Sequence, residues 1–167
     1  GCPGLTSAPV LPATTLAKSC YNNMFNGCLK LTSITVGFSA FDPASATLEW
    51  VDGVASAGTF YVPGTFTDLT SGTSNIPSGW TVKNAYKVTV NTAANGAVSA
   101  PALAGEGTTV ALTVTPAEGY VLKSLKYNDG TTDHPITADL SGNYSFAMPS
   151  VNITVTAEFG TPAEPLS

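Results

Sequence analysis

His134, the only histidine of the chain, is the first residue to consider for chemistry. Imidazole is the general base of a Ser-His-Asp triad, and Asp133 directly precedes His134. The surrounding segment, DGTTDHPIT, is typical of a turn, and the chain contains no G-x-S-x-G and no H-E-x-x-H motif. We therefore interpret His134 as a solvated loop residue and predict that the protein is not an enzyme.

The carboxylates offer two further kinds of chemistry. Glu49 and Asp52 lie three positions apart and could form a glycosidase pair, but a solvated helix face is the simpler interpretation. Asp129, Asp133 and Asp139 carry the oxygen ligands that Ca²⁺ prefers, yet their spacing fits no known calcium loop. We interpret them as turn residues and predict no metal and no cofactor.

The three cysteines, Cys2, Cys20 and Cys28, lack C-x-x-C spacing and lie far from the histidine, so a zinc site is not expected. Cys2 and Cys28 are 26 positions apart, and Val54 follows at the same offset. Replacement of Cys by Val indicates a small buried apolar slot. We expect buried thiols, and a disulfide between neighbouring strands stays open as an alternative.

Composition restricts the partners. Charged residues make up 10% of the chain, the net charge is -5, and all six basic residues are Lys. Nucleic-acid recognition relies on Arg forks and basic patches, so we expect no nucleic acid as a partner. No run of about 18 apolar residues occurs, which predicts no membrane span. No secretory signal is recognisable, so we expect a mature or shortened form.

A period of 26 residues runs through the first half of the chain. GCPGLTSAPV at 1–10 and GCLKLTSITV at 27–36 share Gly, Cys, Leu-Thr-Ser and Val at this offset, and Gly53 continues the register. Such a period is typical of a solenoid, with one short strand in each of about three rungs. Each return path is expected to carry a short helix, which Asp42 and Pro43 would begin in the second rung.

Alternation along these strands predicts which side chains face the interior. Those expected to point inward are Ala8, Val10, Ile34, Val36, Phe60 and Val62. Pro9, Thr35 and Tyr61 are then expected to form an outward row, in which Tyr61 is the foremost candidate for ligand contact because exposed aromatics are favoured contact residues. Trp50 falls at an apolar phase and is expected in the core. Trp80, where the repeat decays, is a further candidate for ligand contact.

The second half of the chain changes from the 26-residue register to a period of two. Four segments alternate in this way, and their apolar positions are Tyr86, Val88 and Val90; Val110, Leu112 and Val114; Tyr144, Phe146 and Met148; and Ile153, Val155, Ala157 and Phe159. Polar residues occupy the opposite faces. This pattern predicts half-buried strands of an antiparallel, sandwich-like sheet.

The first half resembles a known family. LTSAPVLPATTLAKSCYNNMFNGCLKLTS at 5–33 is similar to the BspA-like leucine-rich repeats of bacterial surface proteins, and 53–82 resembles the closing segment of such arrays. The resemblance covers about half of the chain. It implies a leucine-rich-repeat solenoid with an adhesive role.

The second half resembles the divergent internalin-B-type bacterial repeat domain. The matching motifs are P-x-x-G-Y at 116–120, F-x-M-P at 146–149 and V-T-A-x-F at 155–159. The resemblance implies a spacer or accessory domain of a surface protein.

The predicted fold class is α+β and rich in β structure. We expect a short leucine-rich-repeat solenoid fragment with a degenerate capping rung over 1–84 and a six-stranded antiparallel β domain over 85–160. Residues 161–167 are expected to form a loose tail.

The resemblances imply an extracellular protein at the bacterial cell surface or outer membrane. The first functional hypothesis is a non-enzymatic adhesin that binds a host or bacterial protein through Pro9, Thr35 and Tyr61. A structural spacer or cap without its own ligand is one alternative. A carbohydrate-binding module with Tyr61 or Trp80 as stacking platform is another. A lipid anchor on a full-length form also stays open.

Overall fold

The computed structural model describes residues 1–163, and the chain divides into two compact units, Gly1–Ala85 and Tyr86–Ser167. Residues 161–163 are exposed and form no strand, while 164–167 of the predicted tail lie outside the described residues. The strands of the described part are β1 (Ser33–Thr35), β2 (Thr59–Val62), β3 (Thr81–Val90), β4 (Gly96–Ser99), β5 (Leu103–Gly105), β6 (Thr109–Pro116), β7 (Val121–Asn128), β8 (Asp133–Pro135), β9 (Tyr144–Ala147) and β10 (Ile153–Gly160).

The first unit is built on a parallel ladder. Ser33 of β1 lies opposite Thr59 of β2, and an isolated bridge places Ser7 opposite Ser33. The first residues of β3 continue the ladder, with Thr81 opposite Thr59. The 26-residue period is therefore confirmed as the register from Ser7 to Ser33 and from Ser33 to Thr59, but the step to Thr81 is 22 residues. Of the side chains predicted to point inward, Ile34, Val36, Phe60 and Val62 are buried.

The segments that return from one strand to the next also bind each other through their backbones. The amide of Phe25 donates to the carbonyl of Trp50 at 2.8 Å, and the amide of Gly27 donates to the carbonyl of Asp52 at 2.8 Å. Gly27 and Gly53 both have positive φ, at 74° and 70°, and each closes a turn. Both glycines therefore adopt the left-handed conformation, which glycine reaches without steric cost.

The predicted fold class is wrong. The described residues are nearly all β, in mixed sheets, and their one helical element is the four-residue 3₁₀ helix Ala44–Thr47, so the expected leucine-rich-repeat solenoid with helical return paths is not found. Asp42 does not cap a helix; the N-cap is Pro43, in an extended conformation. Within residues 19–27, every second amide donates to a carbonyl of the next return segment, and the amides between them close single turns to the carbonyl three residues earlier, so no continuous helical hydrogen bonding forms.

Aromatic side chains dominate the core of the first unit. Trp50 is fully buried, as its phase predicts, and lies among the rings of Tyr21, Phe25, Phe38, Phe41 and Phe60. Its indole Nε1 donates to the carbonyl of Asn75 at 2.8 Å. The large rings fill the interior, and the indole N–H of Trp50 has its hydrogen-bond partner there.

The second unit contains two sheets. In one, β3 pairs with β10, β10 with β7, and β7 with β8, while β5 pairs with β3. The other is antiparallel, in the order β4-β6-β9. The apolar residues of the four alternating segments form the core of this unit or pack against it.

The prediction of an antiparallel domain is corrected at its first and last strands. β3 and β10 run parallel, with Val88 opposite Ile153 and Val90 opposite Val155. Alternation shows which face of a strand is buried but carries no information on strand direction. The unit also has more strands than the expected six, because β5 and β8 have three residues each and are too short for a visible period.

Candidate functional site

The row predicted to meet a ligand is mostly covered. Pro9 is exposed, but Thr35 and Tyr61 are each only 9% exposed, so the expected exposure of Tyr61 is wrong. Tyr61 lies in the middle of the ladder, opposite Thr35 on one side and Lys83 on the other. Cross-strand neighbours on one face shield each other, which alternation within a single strand cannot reveal.

Trp80 does not offer an open stacking face either. The side chain is 8% exposed, and its Nε1 donates to the carbonyl of Ala55 at 2.7 Å. The ring covers the backbone of Gly58, where an added Cβ would come within 2.7 Å of it. Trp80 is therefore a core residue with a satisfied indole.

The cysteines are all free, and the structure separates them. Cys28 is buried as predicted, whereas Cys2 and Cys20 are exposed, so the expectation of buried thiols is wrong for these two. The backbone amide of Cys2 lies 3.2 Å from Sγ of Cys28 and donates to it. Val54, at the equivalent position, is half-buried and packs against the core.

The β7–β8 turn holds the densest polar network among the described residues. Oδ1 of Asp129 accepts bonds from the amides of Thr131 and Thr132 at 2.9 and 2.8 Å, and from the Thr131 hydroxyl at 2.8 Å. Its Oδ2 lies 2.8 Å from Nε2 of His134. These contacts stabilise the carboxylate, with His134 as the largest cause, and hold the pKa of Asp129 well below its ordinary value.

A second ion pair crosses the same hairpin. Nζ of Lys126 lies 2.6 Å from Oδ2 of Asp133, whose Oδ1 accepts a bond from Asn128 at 2.8 Å. The Lys126 bond lowers the pKa of Asp133 and raises that of Lys126. Both side chains are about half exposed, so we expect this pair to contribute little to stability.

His134 is also part of a stack of three rings. It lies parallel to Tyr127 with ring centroids 4.7 Å apart, and Tyr127 stacks on Phe146 at 4.4 Å. Tyr127 and Phe146 pack against the core, whereas the His134 side chain is 40% exposed. The imidazole thus covers an aromatic ring and orders the turn. The interpretation of His134 as a solvated loop residue is therefore wrong: it lies in β8, paired with Tyr127 across the hairpin.

A pH titration tests the Asp129 network. The native state holds fewer protons on Asp129 than the unfolded chain, whose Asp pKa is about 3.9. The stabilisation is therefore present above that pH and is lost as the pH falls towards the native pKa. We expect the NMR titration midpoint of the Asp129 carboxyl below 3.9 and a higher midpoint in His134→Gln.

Asn143→Ala is the matched control for this titration, because Asn143 bonds to Asp139 and not to Asp129. It should leave the Asp129 midpoint unchanged. An Asp129 midpoint that is the same in His134→Gln and in the wild type would contradict the assigned role of the histidine.

The remaining acidic residues do not assemble. Asp139 binds its own loop, accepting the amides of Ser141 and Asn143 at 2.8 and 2.9 Å, and these bonds lower its pKa. Glu49 and Asp52 are exposed. Within residues 1–163, no three His, Cys, Asp or Glu side chains come together in a way that could hold a metal ion.

A shallow cleft of about 170 Å³ lies in the first unit, between the turn at Val51–Ser56 and the segments around Thr73 and Pro77. Its lining is made of small apolar residues and hydroxyls and carries no charge. The lining therefore holds no titratable side chain that could act as a general acid or base or activate one of its hydroxyls.

The two β units and their covered aromatic residues define an all-β, modular protein. Residues 86–162 match the family model of the divergent InlB B-repeat domain, which confirms the resemblance of the second half. That family is a bacterial, surface-associated repeat domain, typically found in surface proteins. The match spans slightly less than half of the chain, and the comparisons do not show the BspA-like resemblance of the first half.

No curated protein and no solved structure matches the chain. Among residues 1–163, no helix is long and apolar enough to cross a membrane.

Proposed function

We propose that this chain is a non-enzymatic structural spacer within a bacterial surface protein. The observation that carries this proposal is the burial of Thr35 and Tyr61, which removes most of the row expected to bind a ligand. The match of the second unit to a surface-associated repeat domain supports the location. A spacer needs stable, self-contained units more than it needs an open binding face.

The polar groups support the same role. Among the described residues, no buried side-chain nitrogen or oxygen lacks a hydrogen-bond partner. Buried polar atoms that are left unpaired often mark catalytic or binding sites, because a ligand completes their bonds. Here the protein itself supplies these partners, as Asn75 does for Trp50 and Ala55 for Trp80.

An adhesin is the second candidate function, and one observation favours it. Thr6, Ser7, Pro9 and Thr32 remain exposed on the first unit, at the side of the ladder where the outward row begins. A protein ligand would have to bind this smaller surface. A carbohydrate-binding role through Tyr61 or Trp80 receives no such support, because both rings are buried.

Binding measurements separate these candidates. We expect the purified chain to show no saturable binding to a glycan array or to a panel of immobilised extracellular-matrix proteins. Ser7→Glu changes the exposed end of the ladder, and Ser99→Glu is the matched control on an exposed strand position of the second unit. Saturable binding that Ser7→Glu abolishes and Ser99→Glu preserves would overturn the spacer and establish an adhesin.

A further inference from the structure

The first and last strands of the second unit bind each other in parallel. Thr89 of β3 lies opposite Thr154 of β10, between the pairs formed by Val88 and Val90. Because the two strands run in the same direction, the start of β3 and the end of β10 lie at opposite ends of their shared ladder. Tension applied along the chain therefore pulls the strands past each other and loads all ladder hydrogen bonds together.

We propose that the β3–β10 pair is a mechanical clamp through which the second unit withstands tension along the chain. An antiparallel pair of terminal strands would be pulled apart from one end, so its bonds would break one after another. The parallel pair has no such weak end, because bonds loaded in parallel share the force. This inference deepens the proposed spacer role by stating what load the spacer carries.

Side chains of two asparagines strengthen the ends of this ladder. At the start, the backbone amide of Lys87 donates to Oδ1 of Asn152 at 2.9 Å. At the other end, the amide of Asn91 donates to the carbonyl of Val155 at 2.9 Å, and its Nδ2 donates to Oγ1 of Thr156 at 3.1 Å. The asparagines thus extend the hydrogen bonding beyond the paired residues, to the positions where slippage would begin.

The middle of the clamp is shielded from water. Val88, Ile153 and Val155 are all buried in the core of the unit. Buried hydrogen bonds are not readily exchanged for bonds to water, so they resist stepwise replacement under load. Neither strand is loosely attached: β10 pairs along its length with β7, and the amide of Val88 donates to the carbonyl of Ala102 at 3.0 Å.

Single-molecule pulling on the full chain in two directions tests the clamp. Handles attached at positions 84 and 163 load β3 against β10 in shear. Handles at 84 and 150 pull from the ends at which both parallel strands begin, and peel them apart. We expect a rupture force that is severalfold higher in the first geometry. Equal rupture forces in the two directions would overturn the clamp.

Two variants test the asparagines by the same measurement. Asn91→Ala should lower the rupture force in shear and leave the peeling force unchanged, because Asn91 lies at the end of the ladder that peeling opens last. Asn143→Ala is the control because Asn143 bonds within its own loop. Asn152→Ala, at the end that peeling opens first, should lower the rupture force in both directions. Equal losses in both directions for Asn91→Ala would show a general effect on stability and contradict the assigned role.

The pulling experiment tests the clamp, and the binding measurements test the spacer role, so the two can fail separately. Equal rupture forces in the two pulling directions would contradict the clamp but would not affect the spacer role, which depends on the absence of ligand binding. Conversely, a ligand bound at the first unit would overturn the spacer and leave the force measurement as it stands.

Discussion

Replacement of Trp50 by Ala is expected to lower the free energy of unfolding of the first unit by about 3–5 kcal/mol, the usual cost of removing a large buried aromatic side chain. Trp50 is 0% exposed, and five aromatic rings lie within 6.3 Å of it, centroid to centroid. The substitution leaves a cavity that these rings cannot fill. It also leaves the carbonyl of Asn75 without the indole donor.

Urea denaturation followed by the fluorescence of Trp80 measures this loss, because Trp80 lies in the same unit and remains in the variant. Leu48→Ala is the control: Leu48 is two positions away and 49% exposed, so its truncation should cost little. If both variants lost similar stability, Trp50 would not be the centre of the core.

The first half of the chain shows what a repeat period can predict. The 26-residue offset correctly predicts that Ser7 lies opposite Ser33, and together with strand alternation it predicts that Ile34 and Phe60 are buried. The period says nothing about what joins the strands. Whether a connecting segment forms a helix or turns depends on which carbonyls its backbone amides reach, and many of these carbonyls belong to the neighbouring connecting segment.

In the second half, the sequence predicts burial better than topology. Val88, Val110 and Val155 are buried as their alternation requires. The direction of β10 relative to β3 depends on contacts between residues 65 positions apart, such as the bond from Lys87 to Asn152. No local pattern encodes such a pairing, so the parallel strands on which the clamp depends are visible only in the structure.

The candidate sites also differ in how much of their structure the local sequence predicts. Alternation turns Tyr61 away from Phe60 and so predicts an exposed ring, but its exposure is set by neighbours on the adjacent strands. The turn at Asp129 can be predicted from the local sequence, because Asp before Gly and Thr is typical of a turn in which the side chain accepts hydrogen bonds from backbone amides. The bond to His134 and the stack on Tyr127 arise from strand pairing and could not be read locally.

Gly58→Ala is expected to destabilise the first unit by about 1–3 kcal/mol, the range found for overpacking of a filled site. An added Cβ would lie 2.5 Å from the carbonyl oxygen of Thr32 and 2.7 Å from the ring of Trp80. The Thr32 carbonyl accepts the amide of Thr59 at 2.8 Å, so moving it would disturb the parallel ladder. The effect should fall at the upper end of the range, because backbone and indole must both shift.

Gly64→Ala is the matched control, because an added Cβ at Gly64 would meet no atom within 4 Å. Gly64 is also outside the left-handed region, so Ala should be tolerated there and change stability by only a few tenths of a kcal/mol, about the size expected from the unfolded chain. The urea midpoints of Gly58→Ala and Gly64→Ala, compared with that of the wild type, measure the two effects. Equal midpoints would mean that the ladder and Trp80 can move aside, and that Gly58 is not required for their close approach.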